Sequence, residues 1–431
     1  MKLNYRRTFF VGLAFLSICA FWQMYDNIIP LMLKNTFKLG ETVTGILMAL
    51  DNVLALLLLP FFGALSDKTN TPLGKRTPFI ILGTIAAVIT MTLLPKAADM
   101  ESLPLYLIAL GIVLLAMGSY RSPTVALMPD ITPKPLRSKA NAIINLMGAI
   151  GGIYALFAIK LLIKKVEGRD DYTSVFLAVS AIMVFAVAVL VITIREKKLA
   201  LQVNNAEEEP EPIWEEKEDS HSKEFMGMSK DVRKSFFFIL ASIFLWFFAY
   251  NAVTTAYSRY AEVVWKLESG GFVNALLVAT GAAIVSYIPI GFISSRFGRK
   301  KTIIGGIVLM TASYLCGTLF VNYSSWVNVV FAFTGIGWAA ISVNSYPMVV
   351  EMCKGGDVGK YTGIYYMFSM SSQIITPIVS GALLEHVSYR ILFPYAVIFS
   401  LASLITMLFV KHGDNRPEKK KNLIEHFDGE D

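Results

Sequence analysis

The chain carries the same kind of loop twice, as GALSDKTNTPLGKR at residues 63–76 and as GFISSRFGRK at residues 291–300. Both loops are rich in glycine and in Lys or Arg, both follow a long apolar run, and they begin 228 residues apart. A single loop of this kind could consist simply of turn residues and cations at a membrane surface. Two at matching positions indicate two halves built on one plan, which is typical of transporters with parallel repeats.

Long apolar runs surround both loops. A membrane span needs about 20 mostly apolar residues, and the sequence contains twelve runs of that kind, six before a polar connector and six after it. The predicted spans are residues 9–33, 43–65, 77–97, 103–128, 140–163, 173–194, 234–258, 271–294, 302–322, 325–350, 359–384 and 389–411. The expected fold is therefore an all-α membrane protein with twelve transmembrane helices in two six-helix pseudo-repeats.

Composition excludes a soluble globular protein. Hydrophobic residues make up 55% of the 431 and charged residues only 16%, against about 25% charged in soluble domains. The predicted divisions are a first half at 1–194, a linker at 195–233, a second half at 234–411 and a tail at 412–431. The linker is dominated by acidic runs that bury little apolar surface, so we expect it to be disordered.

The distribution of Lys and Arg predicts the orientation. With the N-terminus inside the cell, 28 of the 39 cations fall in the cytoplasmic segments and 9 in the outer loops. The positive-inside rule then places both termini in the cytoplasm of a multi-pass protein of the plasma or inner membrane. The cations that give the net charge of +7 lie in short clusters between apolar runs, so no nucleic-acid interface is expected.

The glycines and charges of the repeated loops suit a gate. A loop acid can pair with cations or with helix ends and stabilise one packing of the inner surface, while glycines allow tight turns. The predicted gating residues are Gly63, Asp67, Lys68, Gly74, Lys75, Arg76, Gly291, Arg296, Gly298 and Arg299.

These loops resemble the signature of the major facilitator superfamily, and the resemblance covers nearly the whole chain. Residues 66–80 (SDKTNTPLGKRTPFI) and 120–142 (YRSPTVALMPDITPKPLRSKANA) look like the corresponding regions of sucrose:proton symporters, which belong near the glycoside–pentoside–hexuronide:cation symporters. The resemblance implies a major facilitator fold and a glycoside cargo. Leu110 stands where plant sucrose carriers place an acid, and Ala55 where melibiose-type carriers place a second acid one turn after Asp51. The coupling mechanism is therefore not carried over.

Charges within the spans are few, and a charge there is a functional candidate because it costs at least about 2.5–3.5 kcal/mol. From a rise of about 1.5 Å per residue, Asp26 and Asp51 lie roughly 25 and 21 Å above the inner helix ends, whereas Arg121 lies only about 10 Å up. Two neighbouring acids in a low dielectric do not both ionise easily. We therefore predict that Asp26, with Asp51, carries a coupling proton; the alternative is that one of them caps or cross-links helices.

By the same estimate Arg121 is too deep to pair with either acid. It is predicted either to donate hydrogen bonds to substrate hydroxyls or to pair with Asp130. Sugars suit walls of aromatic rings and amides, and such residues recur at helical spacing, although small and hydroxyl residues also serve as packing between membrane helices. The predicted substrate-binding residues are Trp22, Gln23, Tyr25, Arg121, Tyr250, Asn251, Trp338, Asn344 and Gln373.

The sequence thus predicts a secondary active transporter, monomeric and embedded in the lipid bilayer, that imports a glycoside such as sucrose or maltose with H⁺ through alternating access. Na⁺ remains open as the coupling ion. The alternatives are a proton-coupled exporter of an amphipathic metabolite or drug, and a non-transporting membrane sensor. No enzyme motif, cofactor or metal is expected, since the sequence has no nucleotide fingerprint, no nucleophile–base motif and no metal-ligand spacing.

Overall fold

A computed structural model describes residues 3–133, 136–166, 169–207, 230–267, 270–350, 352 and 358–414. This part of the chain is almost entirely helical, apart from a short antiparallel hairpin of strands β1 (Lys164–Val166) and β2 (Arg169–Asp171). The helices are α1 Tyr5–Asn35, α2 Glu41–Lys68, α3 Thr77–Met91, α4 Leu93–Asp99, α5 Leu103–Asp130, α6 Arg137–Leu162, α7 Thr173–Thr193, α8 Glu196–Glu207, α9 Lys230–Trp265, α10 Val273–Phe297, α11 Arg299–Leu319, α12 Trp326–Val350, α13 Val358–His386 and α14 Leu392–Leu408, the last preceded by a 3-10 turn at Tyr389–Ile391.

Twelve of these helical segments are long and apolar enough to cross a membrane, which confirms the predicted fold class. The third span consists of α3 and α4, which meet at Thr92. Local sequence explains several helix ends. The Asn4 side chain accepts the backbone N–H of Arg7 at 3.1 Å and caps α1, while Pro78 occupies the first turn of α3, where no N–H is needed.

The two halves repeat one packing plan. Within the first half, α1 packs on α6 and α7, α5 packs on α2 and α3, and α3 packs on α7. The corresponding pairs of the second half are α9 with α13 and α14, α12 with α10 and α11, and α11 with α14. The halves meet through α2 with α13, α6 with α10 and α1 with α9.

The prediction of a disordered linker over residues 195–233 is wrong at both of its ends. Residues 196–207 form α8, and α9 begins at Lys230 rather than at residue 234. Residues 208–229, with most of the acidic runs, lie outside the described residues, as does the tail from 415 onward. The reason at the first end is Glu196, a buried side chain that ties the beginning of the linker to the first repeated loop.

The loop end of the bundle, meaning the end that carries residues 63–76 and 291–301, is organised around Arg76. Its buried guanidinium donates from Nε to Asp130 Oδ2 at 2.8 Å and also pairs with Asp67 and with the Ser66 hydroxyl. Burial alone lowers the pKa of Arg76, but the hydrogen bond and charge of Asp130, with those of Asp67, raise it above its ordinary value. Arg76 therefore remains a cation and joins α2 to α5.

Glu196 completes this network from the linker side. Its carboxylate accepts the backbone N–H groups of Lys75 at 2.7 Å and Thr77 at 2.8 Å, and the Thr77 hydroxyl at 2.7 Å. These are the free N–H groups at the beginning of α3, where a negative charge is also favoured by the helix dipole. Gly74 lies against the Glu196 carboxylate, where a side chain would collide with it. The φ of Gly74 is +119°, a backbone conformation that L side chains rarely adopt.

The second half repeats this arrangement with different residues. Gly298, with φ +95°, precedes α11, and Asp414 Oδ1 accepts the backbone N–H of Lys300 at 2.8 Å. In each half, then, an acid that follows the sixth span caps the third span.

We expect Glu196→Ala to destabilise the protein, because several buried donors at the beginning of α3 lose their acceptor. The cost is about 1.5–3 kcal/mol, as for hydrogen bonds to a charged group. Thermal unfolding in detergent measures this as a lower Tm. The exposed neighbour Lys197→Ala is the matched control and should leave Tm unchanged; equal melting of the two variants would contradict the capping role.

Candidate functional site

The first-half group of predicted site residues lies on α1, α2 and α5. Trp22, Tyr25 and Asp26 occupy one face of α1, because a spacing of three and four residues returns to the same side of a helix. The Trp22 and Tyr25 rings meet edge to face at 5.3 Å, and the Arg121 guanidinium of α5 lies 5.7 Å from the centre of the Trp22 ring. Arg121 thus reaches α1 through a cation–π contact.

Asp26, Asp51 and Arg121 form one electrostatic group. The charge of Arg121 acts on both acids, and Asp51 acts on Asp26. Asp51 also accepts the backbone N–H and the side-chain amide of Asn52 at 2.6 and 2.7 Å. Arg121 thus influences both acids from a distance, and the prediction that it pairs with neither agrees with the ion pairs found among the described residues.

The predicted alternative, a pairing of Arg121 with Asp130, is wrong, since Asp130 bonds to Arg76 instead. Among the described residues, Arg121, Asp26 and Asp51 form no ion pair within 4 Å. All three are half-buried. Because contact of a charge with lipid is unfavourable, we assign their exposed surface to the cleft between the halves.

The second-half group lies on α9, α12 and α13. The rings of Tyr250 and Trp338 stack face to face with centroids 3.8 Å apart and planes 5° apart. Asn251 follows Tyr250 and is half-buried. Asn344 is buried and donates one N–H of its side-chain amide to the carbonyl of Ala340 at 2.9 Å within α12.

Two predicted residues lie at the borders of these groups. The Gln23 side chain is directed toward α6, where its Oε1 lies 3.5 Å from the position that a Cβ on Gly152 would take. Gln373 is half-buried on α13, beside Ser372, whose hydroxyl donates to the carbonyl of Phe244 at 3.0 Å.

Several buried donors of this region have no hydrogen-bond partner among the described residues. They are the indole Nε1 of Trp22, the hydroxyl of Tyr25 and the amide Nδ2 of Asn251. A buried unpaired polar group costs about 1–3 kcal/mol, so such groups in a native protein require an explanation. Here they lie on residues of both halves.

The opposite end of the bundle, which we term the far end, contains a cluster that the sequence analysis missed. Arg259 of α9 donates from Nε to Glu41 Oε2 of α2 at 2.6 Å, and both side chains are buried, with 4% and 5% of their surface exposed. The Tyr389 hydroxyl donates to the second oxygen of Glu41. We refer to Glu41, Arg259 and Tyr389 as the latch, because they join the first half to the second.

Further contacts reinforce the latch. The Thr42 backbone N–H donates to Glu385 at 2.7 Å, and the Asn35 amide donates to Glu262 at 2.8 Å. Helices α2 and α13 also approach closely, since a Cβ on Gly45 would collide with the carbonyl of Pro377. The far end is therefore closed in this structure.

A signal for the latch exists in the sequence, but it is weak. Arg259 and Glu262 follow directly on the predicted seventh span, which α9 extends to Trp265. A charge one turn beyond a span usually indicates only the membrane surface. The partner of Arg259 lies 218 residues away, and no local pattern connects the two.

Comparisons with known proteins agree with this architecture. A family model described as Major Facilitator Superfamily matches residues 11–287 and 265–427. Among solved structures, a bacterial homologue of the human lysosomal transporter Spinster, in an inward-facing and occupied conformation, superimposes with a TM-score of 0.65 at 14% identity and covers 95% of both chains. A bacterial homologue of the iron transporter ferroportin gives 0.64 at 12% identity, over 94% of this chain and 99% of that one.

Two curated relatives share a shorter region. A sucrose transport protein of Arabidopsis thaliana is 25% identical over 142 residues, which are 28% of this chain and 24% of that protein. An MFS-type efflux transporter of Pyricularia grisea is 26% identical over 129 residues, 29% of this chain and 21% of the relative. The matched regions thus span a quarter or less of these relatives' own lengths.

The family model extends over nearly all of the twelve spans, and the two halves repeat one packing plan. The chain therefore belongs to the Major Facilitator Superfamily and is a membrane transporter of that family.

Proposed function

We propose that this transporter imports a glycoside, such as the disaccharides sucrose or maltose, together with H⁺. The observation that carries the proposal is the group formed by Asp26, Asp51 and Arg121 beside the Trp22 ring. Two acids and one cation hold a net negative charge when both acids are ionised and none when one is protonated. A proton therefore changes the charge of the site by a full unit, as coupling requires.

The unpaired donors support a polyhydroxylated cargo. Trp22, Tyr25 and Asn251 offer hydrogen-bond donors to sugar oxygens, and the Trp22 and Trp338 rings offer faces for sugar C–H groups. The match to a sucrose transport protein points to the same class. Asp26 and Asp51 are assigned to coupling, and the other residues of both groups to cargo binding.

Alternating access requires that the latch opens. In the proposed orientation the loop end is cytoplasmic, as the positive-inside rule indicates, so the far end faces outward and this structure is closed to the outside. The Arg76 network and the Lys300–Asp414 contact then act at the cytoplasmic side, one in each half. The protein is proposed to work as a monomer in the plasma or inner membrane.

A second candidate is a proton-coupled exporter of an amphipathic compound. The partial match to an efflux transporter favours it, as does the aromatic surface of Phe247, Tyr250 and Trp338. Import and export use the same coupling group and differ in cargo and direction. A sensor without transport would have no use for a charge that changes with a proton.

Uptake of labelled sucrose and maltose into proteoliposomes tests the proposal, with an inward proton gradient and with Na⁺ as the comparison ion. We expect accumulation that depends on the proton gradient. Failure to accumulate any glycoside under either ion gradient would exclude the sugar assignment, and proton-driven extrusion of a hydrophobic dye would then identify the exporter.

The variant Asp26→Asn should abolish stimulation of uptake by external acid, because the amide does not bind the coupling proton. Exchange of labelled for unlabelled sugar at equal pH is expected to continue. The exposed Asp99→Asn is the matched control and should behave as the wild type. An unchanged pH profile in Asp26→Asn would refute its role.

Breaking the latch should open the far end. The variant Arg259→Gln leaves Glu41 without its buried cation. This should destabilise the closed state by about 3–5 kcal/mol. We would introduce Thr44→Cys, at a buried far-end position, into a background with the three native cysteines replaced by serine. Labelling by a membrane-impermeant thiol reagent should then accelerate strongly.

Two further variants make the latch test specific. Reversing the pair, as Glu41→Arg with Arg259→Glu, should restore slow labelling if the two charges interact directly. The far-end pair of Arg169 and Glu101 is exposed, and exposed ion pairs contribute little, so Arg169→Gln should not change the rate. Equal labelling rates in Arg169→Gln and Arg259→Gln would contradict the role of the latch in closing the far end.

A further inference from the structure

A groove on the outside of the second half lies between α10, α11 and α12, away from the seam between the halves. Its volume is about 330 Å³, and its walls include Ile290 and Phe297 of α10, Leu309 of α11 and Ile336 of α12. Lys301 lies at its mouth at the loop end. An apolar groove of this kind with one cation at the end is not explained by transport through the seam.

A pair of glycines on α11 creates the groove. Gly306 packs against α12, where a Cβ would lie 2.7 Å from the carbonyl of Gly337, whereas a Cβ on Gly305 would meet no atom within 4 Å. In the first half Gly83 packs in the same way, with the carbonyl of Ala116 at 3.2 Å. It is preceded by Leu82, whose side chain projects outward with 67% exposed. The groove is therefore specific to the second half.

The dimensions of the groove fit one leaflet of a bilayer. From Lys301 to Leu309 is eight residues, or about 12 Å along the helix, and half of a hydrocarbon core is about 15 Å. Phe297 is 52% exposed at the mouth. An acyl chain that enters beside Lys301 would thus reach close to the middle of the membrane.

The chain beside the mouth of the groove is rich in cations; Lys301 lines the groove, while the Nζ of Lys300 donates to the carbonyl of Leu408 at 3.1 Å. Four of the six residues from 296 to 301 are cations, and Lys301 itself is exposed. The nearby acid Asp414 accepts the backbone N–H of Lys300. Clusters of cations at the cytoplasmic end of membrane helices attract anionic lipid headgroups, and basic pockets between such helices bind them.

We propose that this groove is a binding site for an anionic glycerophospholipid of the bilayer, with one acyl chain between α10 and α11 and the phosphate beside Lys301. The apolar walls suit an acyl chain, and Lys301 at the mouth favours an anionic headgroup over a helix from a second copy of the chain.

Native mass spectrometry of the full-length protein in detergent tests the site, with titration of dioleoyl phosphatidylglycerol or dioleoyl phosphatidylcholine. The wild type should retain one phosphatidylglycerol more tightly than phosphatidylcholine. Gly305→Leu fills the groove and should remove that bound lipid. Lys301→Gln keeps the groove and should weaken phosphatidylglycerol binding about fivefold, the effect of one cation at an anionic lipid.

Matched controls exist for both variants. Gly111→Leu adds the same side chain at a position on α5 where a Cβ also meets no atom within 4 Å, and Lys197→Gln removes an exposed cation of the loop end in the first half. Both should bind lipid like the wild type. Equal retention of the two lipids by the wild type would overturn the proposal, and so would unchanged binding in Gly305→Leu. A dimer that Gly305→Leu abolishes would identify a second copy as the occupant instead.

Discussion

A charge removed from water must find a partner, and in a bilayer this constraint decides where charged residues are found. Arg76 is held between Asp130 and Asp67 at the loop end, and Arg259 by Glu41 at the far end. These clusters hold helices in one arrangement. The group of Asp26, Asp51 and Arg121 differs, because among the described residues its members act on one another without an ion pair. A site that takes up and releases a proton needs charges that are not permanently neutralised.

The twelve spans and the two repeated loops were predictable because their signals are local: a span is a run of apolar residues, and each repeated loop is rich in glycines and cations. The latch was not predictable, since Glu41 and Arg259 meet only when the two halves assemble. The capping role of Glu196 was not predicted for another reason. It belongs by composition to an acidic linker, and only the position of the free N–H groups of α3 makes it a cap. The pairing of Arg121 with Asp130 failed because Asp130 bonds to Arg76, which is distant in sequence.

The two halves retain the same plan but differ in detail. Glu196 and Asp414 perform equivalent capping at corresponding places, although one belongs to a helix and the other to the beginning of the tail. The outer surfaces have diverged further, because the first half carries the exposed side chain of Leu82 before Gly83, whereas Gly305 leaves a groove in the second half. Contacts that close the bundle are thus shared between the halves, while the surface facing lipid is free to vary.

The separation of Glu41 from Arg259 has a consequence for biosynthesis. The two residues are 218 positions apart, and ribosomes add about 5–20 residues per second, so Glu41 enters the membrane about 10–40 s before its partner is made. During that interval the first half is an insertion intermediate in which Arg259 is absent and the Glu41 carboxylate is solvated by water. Because Glu41 lies at a helix terminus near the aqueous surface, its unpaired charge does not have to be buried before Arg259 is made. A buried ion pair of the finished protein is in this way compatible with a chain that is inserted one half at a time.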